Sequence, residues 1–168
     1  ITRKLAANGI AAICPNLHHR YGPGTATEMA AGARAAGGVP DEQCIGDVDG
    51  SVQHLRALPY SNGKVGVIGF CSGGRQTYIV ACNMPRLDAA VDCYGGGVVM
   101  APENLSPASP VSPIEMTANL HCPLLGLFGV EDTNPDPKQV AQIEEELKRQ
   151  KKAYEFHTFE NTGHAFFA

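Results

Sequence analysis

A short apolar run that ends in Gly69-Phe70-Cys71-Ser72-Gly73 constrains this chain more than any other stretch. Val65 to Phe70 is rich in β-branched residues and follows the turn signal Asn62-Gly63, which is how a buried strand reads. The G-x-C-x-G pattern that closes it is the cysteine counterpart of the G-x-S-x-G nucleophile elbow. Such an elbow turns sharply from strand into helix and leaves the nucleophile at its tip. Gly69 and Gly73 are expected to let neighbouring backbone pass close to a strained residue. A helix from Gly74 to Cys82 would aim its N-terminus at the Cys71 sulfur, where free N–H groups and the helix dipole favour negative charge. The alternative is a glycine-rich turn around a buried structural cysteine.

With 168 residues, 43% of them hydrophobic, the chain can bury one core, and a single domain over residues 1–168 is expected. The formal net charge is −4 and no basic run occurs, which argues against nucleic acid as a partner. No stretch approaches the ~20 apolar residues of a membrane span, and no signal peptide is visible. The six cysteines, at 14, 44, 71, 82, 93 and 122, are scattered without a C-x-x-C, and most have apolar neighbours. That usage fits free thiols in a reducing, cytoplasmic setting. His18-His19 is not accompanied by a Cys or carboxylate cluster, so neither a metal nor another cofactor is expected. The chain has no initiator Met, opens inside an amphipathic helix at Ile1 to Asn8, and stops at Phe166-Phe167-Ala168. It therefore reads as a piece of a longer protein, incomplete at both ends.

Along the chain, Asn8-Gly9 stops the first helix, and Ile10 to Cys14 reads as a short buried strand ended by Pro15. Asn16 to Val39 is loop-like, with one or two helical turns expected within Thr27 to Ala36. Arg20 and Tyr21 lie in that loop, either as substrate contacts or as ordinary solvated residues. Asp41 to Leu58 reads as a helix with Ile45, Val48, Val52, Leu55 and Leu58 on one face, stopped by Pro59. Leu87 to Tyr94 gives another strand, followed by Gly95-Gly96-Gly97. Pro102 to Pro113 contains four prolines and reads as a loop, placed over a site or running plainly on the surface. Cys122 to Phe128 is a further buried strand. A helix from Pro137 to about Gln150 follows, with Asp136 as its cap and Val140, Ile143 and Leu147 on its apolar face. Ala153 to Phe159 is the last strand. This alternation predicts an α/β fold with a mostly parallel sheet and helices on both faces.

Three residues each stand just beyond the C-terminal end of an expected strand: Cys71, Asp132 and His164. In a parallel sheet those ends lie along one edge, where sites form. Alone, Asp132 could be a turn or helix cap, His164 a loop residue, and Glu131 is a rival acid. Together, their order along the chain (nucleophile, acid, base) is that of α/β-hydrolases. His164 would take the Cys71 proton, or hold an imidazolium against the thiolate, and Asp132 would fix the imidazole tautomer. The thiolate would attack an ester or lactone carbonyl. The backbone N–H of Ser72 would supply half of an oxyanion hole.

Gly69-Phe70-Cys71-Ser72-Gly73-Gly74, Gly129-x-x-Asp132 and Gly163-His164-Ala165-Phe166 resemble the dienelactone hydrolase family. So does the approach to the elbow, Pro59-Tyr60-Ser61-Asn62-Gly63-Lys64-Val65-Gly66, and the resemblance extends over nearly the whole chain. It implies an α/β-hydrolase fold, a Cys71–Asp132–His164 triad, and hydrolysis of a lactone such as 4-carboxymethylenebut-2-en-4-olide to maleylacetate. It also implies that the family's first strands, the second oxyanion donor and a glutamate partner of the resting thiol precede Ile1, and that a closing helix is missing. One strand from the preceding segment would lie between Ile10–Cys14 and Val65–Phe70, so those two should not pair. Thr25 to Val39 does not match the region where family members hold the substrate carboxylate with an arginine, which leaves Arg20 and Arg75 as candidate anion contacts. The competing readings are a non-catalytic fragment or pseudoenzyme that binds a ligand or partner, and a redox protein using Cys71. The latter is disfavoured because no resolving cysteine lies nearby in sequence. Oligomeric state is not legible.

Overall fold

Residues 1–167 are described by a computed structural model, in which the chain divides into two compact units. One comprises Ile1–Val65 with Ser106–Ala108, the other Gly66–Leu105 with the residues from Ser109 onward.

The second unit is built on a sheet of four strands: β1 (Gly66–Phe70), β2 (Ala89–Cys93), β3 (Leu124–Gly129) and β4 (Tyr154–Phe159). All neighbours are parallel, in the sequential order β1-β2-β3-β4. Parallel neighbours need crossovers, and α4 (Ser72–Asn83) and α5 (Pro137–Arg149) provide two of them. A 3₁₀ segment at Pro113–Asn119 touches both helices, while α4 packs on β1 and β2, so the three form one layer. Side chains alternate across the sheet. Ala90, Leu124 and Phe128 are buried at about 1% exposure, whereas Ile68, on the other face, is 40% exposed.

Helix α4 has Tyr78, Ile79, Val80 and Ala81 buried in succession, as a helix enclosed on all sides must. The one polar group in that run is satisfied, since the Tyr78 hydroxyl bonds Thr117 Oγ1 at 2.6 Å. Helix α5 starts as its sequence dictates. Pro137 occupies its first turn, and Asp136 and Gln139 cap each other's backbone N–H groups. Val140, Ile143 and Leu147 form its buried stripe.

In the first unit, α1 (Thr2–Ala7) ends at Asn8 and Gly9, as expected, but none of its residues is buried. Helix α2 (Ala26–Ala35) is longer than expected, because Thr25 and Glu28 close a capping box that pins its first turn. Helix α3 (Asp41–Ala57) follows its expected span, with Leu58 as its C-terminal cap. Of its apolar face only Val52 is fully buried.

One element differs from expectation. Ile10–Cys14 forms no strand, and Ile10 and Ile13 are 53% and 40% exposed. An apolar run becomes a strand only where a neighbouring strand takes its N–H and C=O groups, and no described strand does so; the Ile10 N–H bonds the Leu5 carbonyl of α1 instead. It accordingly does not pair with β1, whose single strand partner among the described residues is β2.

Candidate active site

The elbow forms as the glycine pattern requires. Cys71 sits between β1 and α4 at φ 56° and ψ −123°, backbone angles that L residues seldom adopt. Its own N–H is tied to the Cys93 carbonyl at 3.0 Å, and its carbonyl accepts from Gly74 N–H at 2.8 Å. A Cβ on Gly69 would collide with the Gly73 carbonyl and lie 2.6 Å from Thr77 Oγ1, so the turn closes only over glycine. Gly73 differs from expectation, since a Cβ there would meet open space; its backbone, not its missing side chain, is the close neighbour. Cys71 is solvent-exposed at the tip. Ser72 opens α4, where backbone N–H groups have no partner within the helix.

The acid and base are brought together by two loops laced along their backbones. Val130 N–H bonds the Phe159 carbonyl at 3.0 Å, and Glu131 N–H bonds the Thr162 carbonyl at 2.9 Å. Gly129 permits this lacing, because any Cβ there would strike the Thr162 carbonyl. Asp132 is buried at 4% exposure. Its Oδ1 accepts from Asn134 N–H at 2.9 Å, and its Oδ2 lies 2.8 Å from His164 Nδ1. Glu131 is exposed, and the carboxylate bonded to His164 is that of Asp132.

Cys71 lies close enough to act on the His164 imidazole. With Nδ1 committed to Asp132, Nε2 is the nitrogen left to serve Cys71. The influence of Cys71, then the bond to Asp132, raises the imidazole above its ordinary range, against a smaller opposing effect of desolvation. The structure thus brings His164 against Asp132, with Cys71 near enough to perturb the imidazole.

The other expected contacts have other partners. Arg20 is held by Asp47 through two bonds of 2.7 and 2.9 Å, and Tyr21 donates to the Gly38 carbonyl at 3.2 Å. Arg75 Nε donates to the Gly97 carbonyl at 3.2 Å, with its Nη2 near Met100 sulfur, so it braces the loop after β2. Among the described residues no group of His, Cys, Asp and Glu has the arrangement to hold a metal. Nor is any helix of the described residues long and apolar enough to cross a membrane.

Two residues escaped the sequence reading. Tyr94 follows β2 at φ 44°, with its ring edge-on to His164 at 5.1 Å between centroids. Its position just past a strand end, the criterion that singled out the triad, also fits it. Cys93 lies alongside Cys71 through the backbone, although far from it in sequence. Burial pushes its thiol up to about 11, so it stays protonated and is a poor resolving thiol.

The sequence profile described as the dienelactone hydrolase family matches residues 1–168. The chain belongs to the dienelactone hydrolase family. A Salmonella typhimurium protein named "Putative carboxymethylenebutenolidase" is 34% identical over 174 residues, covering 99% of this chain and 61% of the relative. The Pseudomonas putida protein named "Carboxymethylenebutenolidase" is 36% identical over 100 residues, covering 56% of this chain and 42% of its own. Among solved structures, the "Putative Dienelactone Hydrolase" of Klebsiella pneumoniae superposes with a TM-score of 0.83 at 30% identity, covering 98% of this chain and 68% of that one. The parallel sheet and its helices are those of the α/β-hydrolase fold of these dienelactone hydrolases. The chain spans about 60% of the length of the first curated relatives it matches.

Proposed function

We propose that this dienelactone hydrolase family member cleaves small esters or lactones through a thioester on Cys71. The observation that carries this reading is His164, hydrogen-bonded through Nδ1 to buried Asp132 and close enough to the elbow cysteine Cys71 for that side chain to perturb the imidazole. In the proposed cycle the Cys71 thiolate attacks the carbonyl carbon, and the developing oxyanion accepts a hydrogen bond from Ser72 N–H. The acyl C–O bond breaks, and the leaving oxygen takes the proton held on the His164 imidazolium. Water then attacks the thioester as His164 removes its proton, releasing a carboxylate and the thiolate. Asp132 stabilises the imidazolium and fixes Nδ1 toward itself throughout.

The relatives' names point to a butenolide substrate. With 4-carboxymethylenebut-2-en-4-olide, the oxygen expelled is an enolate, whose protonation and tautomerisation give maleylacetate. Free cysteines at all six positions, four of them buried, fit a reducing cytoplasmic compartment. The test is a panel of p-nitrophenyl esters and dienelactones with mass spectrometry of the quenched enzyme. The expected result is an acyl adduct on Cys71. Cys71→Ser should fold yet lose most turnover, since a hydroxyl is far less ionised near neutral pH than a thiol. Asp132→Asn should cut turnover by about 10⁴-fold while the fold persists. Hydrolysis that survives Cys71→Ala intact rules the reading out.

A further inference from the structure

The segment that carries His164 has little of its own to hold it. Residues 160–167 follow β4 without regular structure, and His164, Ala165 and Phe167 are exposed. Ala165 adds a left-handed φ of 60°. Yet the imidazole must hold its plane if one nitrogen is to face Asp132 and the other Cys71.

Phe70 and Phe159 meet Phe167 and Phe166 at 5.5 and 5.4 Å between ring centroids, but of the described aromatic rings packed on the segment only Tyr94 reaches His164 itself. Tyr94 is buried at 4% exposure. The ring meets His164 edge-on at 5.1 Å and Phe166 edge-on at 5.0 Å, both favoured aromatic geometries. One side chain therefore touches the segment at two points, 164 and 166.

The backbone of Tyr94 is set for this purpose from both sides. Its N–H bonds the Leu127 carbonyl of β3 at 2.8 Å, and the next N–H, of Gly95, is caught by the buried Asp92 carboxylate at 2.8 Å. Between these anchors Tyr94 is held at φ 44°, although Gly95 to Gly97 lie immediately after it. A tyrosine is an expensive occupant for a left-handed site that glycine would fill without strain. Strain held by over-determined surroundings marks a place where the side chain has a task.

We infer that Tyr94 is a positioning residue, whose ring packs on His164 and Phe166 and so holds the His164 imidazole against Asp132 with its other nitrogen toward Cys71. It acts through His164 and takes no part in bond making. The kinetic arm of its test rests on the hydrolase reading above; the spectroscopic arm does not.

The test compares Tyr94→Phe, Tyr94→Leu and Tyr94→Gly with the wild type. Tyr94→Gly relieves the backbone strain but removes a buried ring, so its Tm should fall, and circular dichroism at a temperature below its Tm confirms that it is folded. The readout is the NMR resonance of the His164 Nδ1 proton shared with Asp132, followed by kcat and KM on a p-nitrophenyl ester. In the wild type that resonance should be sharp and shifted downfield. Tyr94→Phe keeps the ring contacts and should keep the resonance, with kcat within about fivefold. Tyr94→Gly and Tyr94→Leu should broaden or lose it, and lower kcat by up to about a hundredfold, the order expected for a displaced catalytic group, with KM little changed. A folded Tyr94→Gly with the wild-type resonance overturns the proposal. If the ester is not hydrolysed through Cys71 at all, the hydrolase reading fails, and the resonance still decides the role of Tyr94.

Discussion

Cys71 and Asp132 both favour the protonated form of His164, and this fixes the sign of a pH effect. A group raised above its unfolded value binds its proton more tightly folded than unfolded. Its contribution is complete below about pH 6.5, the ordinary histidine value, and is lost as pH rises through the raised folded value. The Tm advantage of the wild type over Asp132→Asn should therefore be largest in mild acid and shrink through that window. An advantage that grows toward alkaline pH would contradict the raised His164. Asp92 shifts stability with pH in the same direction, in a lower window. Burial raises its carboxyl to about 7, against about 3.9 unfolded, with only the bond from Gly95 opposing it. Between those values the folded state binds more protons, so stability falls as pH rises from 4 to 7. Asp92→Asn keeps an oxygen for Gly95 N–H and cannot ionise. Its Tm should exceed that of the wild type by a margin that opens between pH 4 and 8. Equal values at pH 8 would mean that the buried charge is compensated.

At the scale of elements, the elbow and the cap of α5 predict very different sensitivities. Gly69→Ala drives a methyl group into the Gly73 carbonyl and toward Thr77 on the same helix, and only a shift of α4 relieves it. The expected loss is about 3 kcal/mol or more by chemical denaturation. Asp136→Ala removes one cap and should cost about 1 kcal/mol, with turnover unchanged. Both features were legible in the sequence, because glycine spacing and a capping Asp before Pro137 act on neighbours within a few residues. The placement of Cys71, Asp132 and His164 was legible for a related reason, since a parallel sheet gathers whatever follows its strands along one edge. What failed to show was non-local. Ile10–Cys14 has the composition of a strand, but composition cannot supply a partner. Arg20 reads as a free cation until Asp47, on a helix 27 residues away, takes both its nitrogens. Tyr94 sits before three glycines that announce a turn, while its left-handed φ is imposed by Leu127 and Asp92 rather than by its own type.

At the scale of the molecule, the core is shared unevenly. The fully buried aliphatic and aromatic groups of β3 and α4, among them Leu124, Phe128, Tyr78 and Ile79, belong to the second unit. The first unit buries few apolar side chains, Val52 and Ala33 among them, and α1 buries none. Local opening is least costly where few apolar contacts and many exposed backbone bonds meet. Amides of β2, β3 and the middle of α4 should then exchange with deuterium only through the largest openings. Those of α1 should exchange fastest among the helices, and α2 should fall between, held by its capping box. The same ordering divides the candidate site. Cys71 and Asp132 rise from β1 and β3 in the well-protected sheet, whereas His164 follows β4, whose outer residues are exposed. The amide of Glu131, bonded to the Thr162 carbonyl, reports the lacing between the acid loop and the histidine segment. It should exchange faster than the amides inside β3 and slower than that of Ala165. If Glu131 and Ala165 instead exchange as slowly as β3, the histidine segment is part of the rigid sheet, and its dependence on Tyr94 would be correspondingly small.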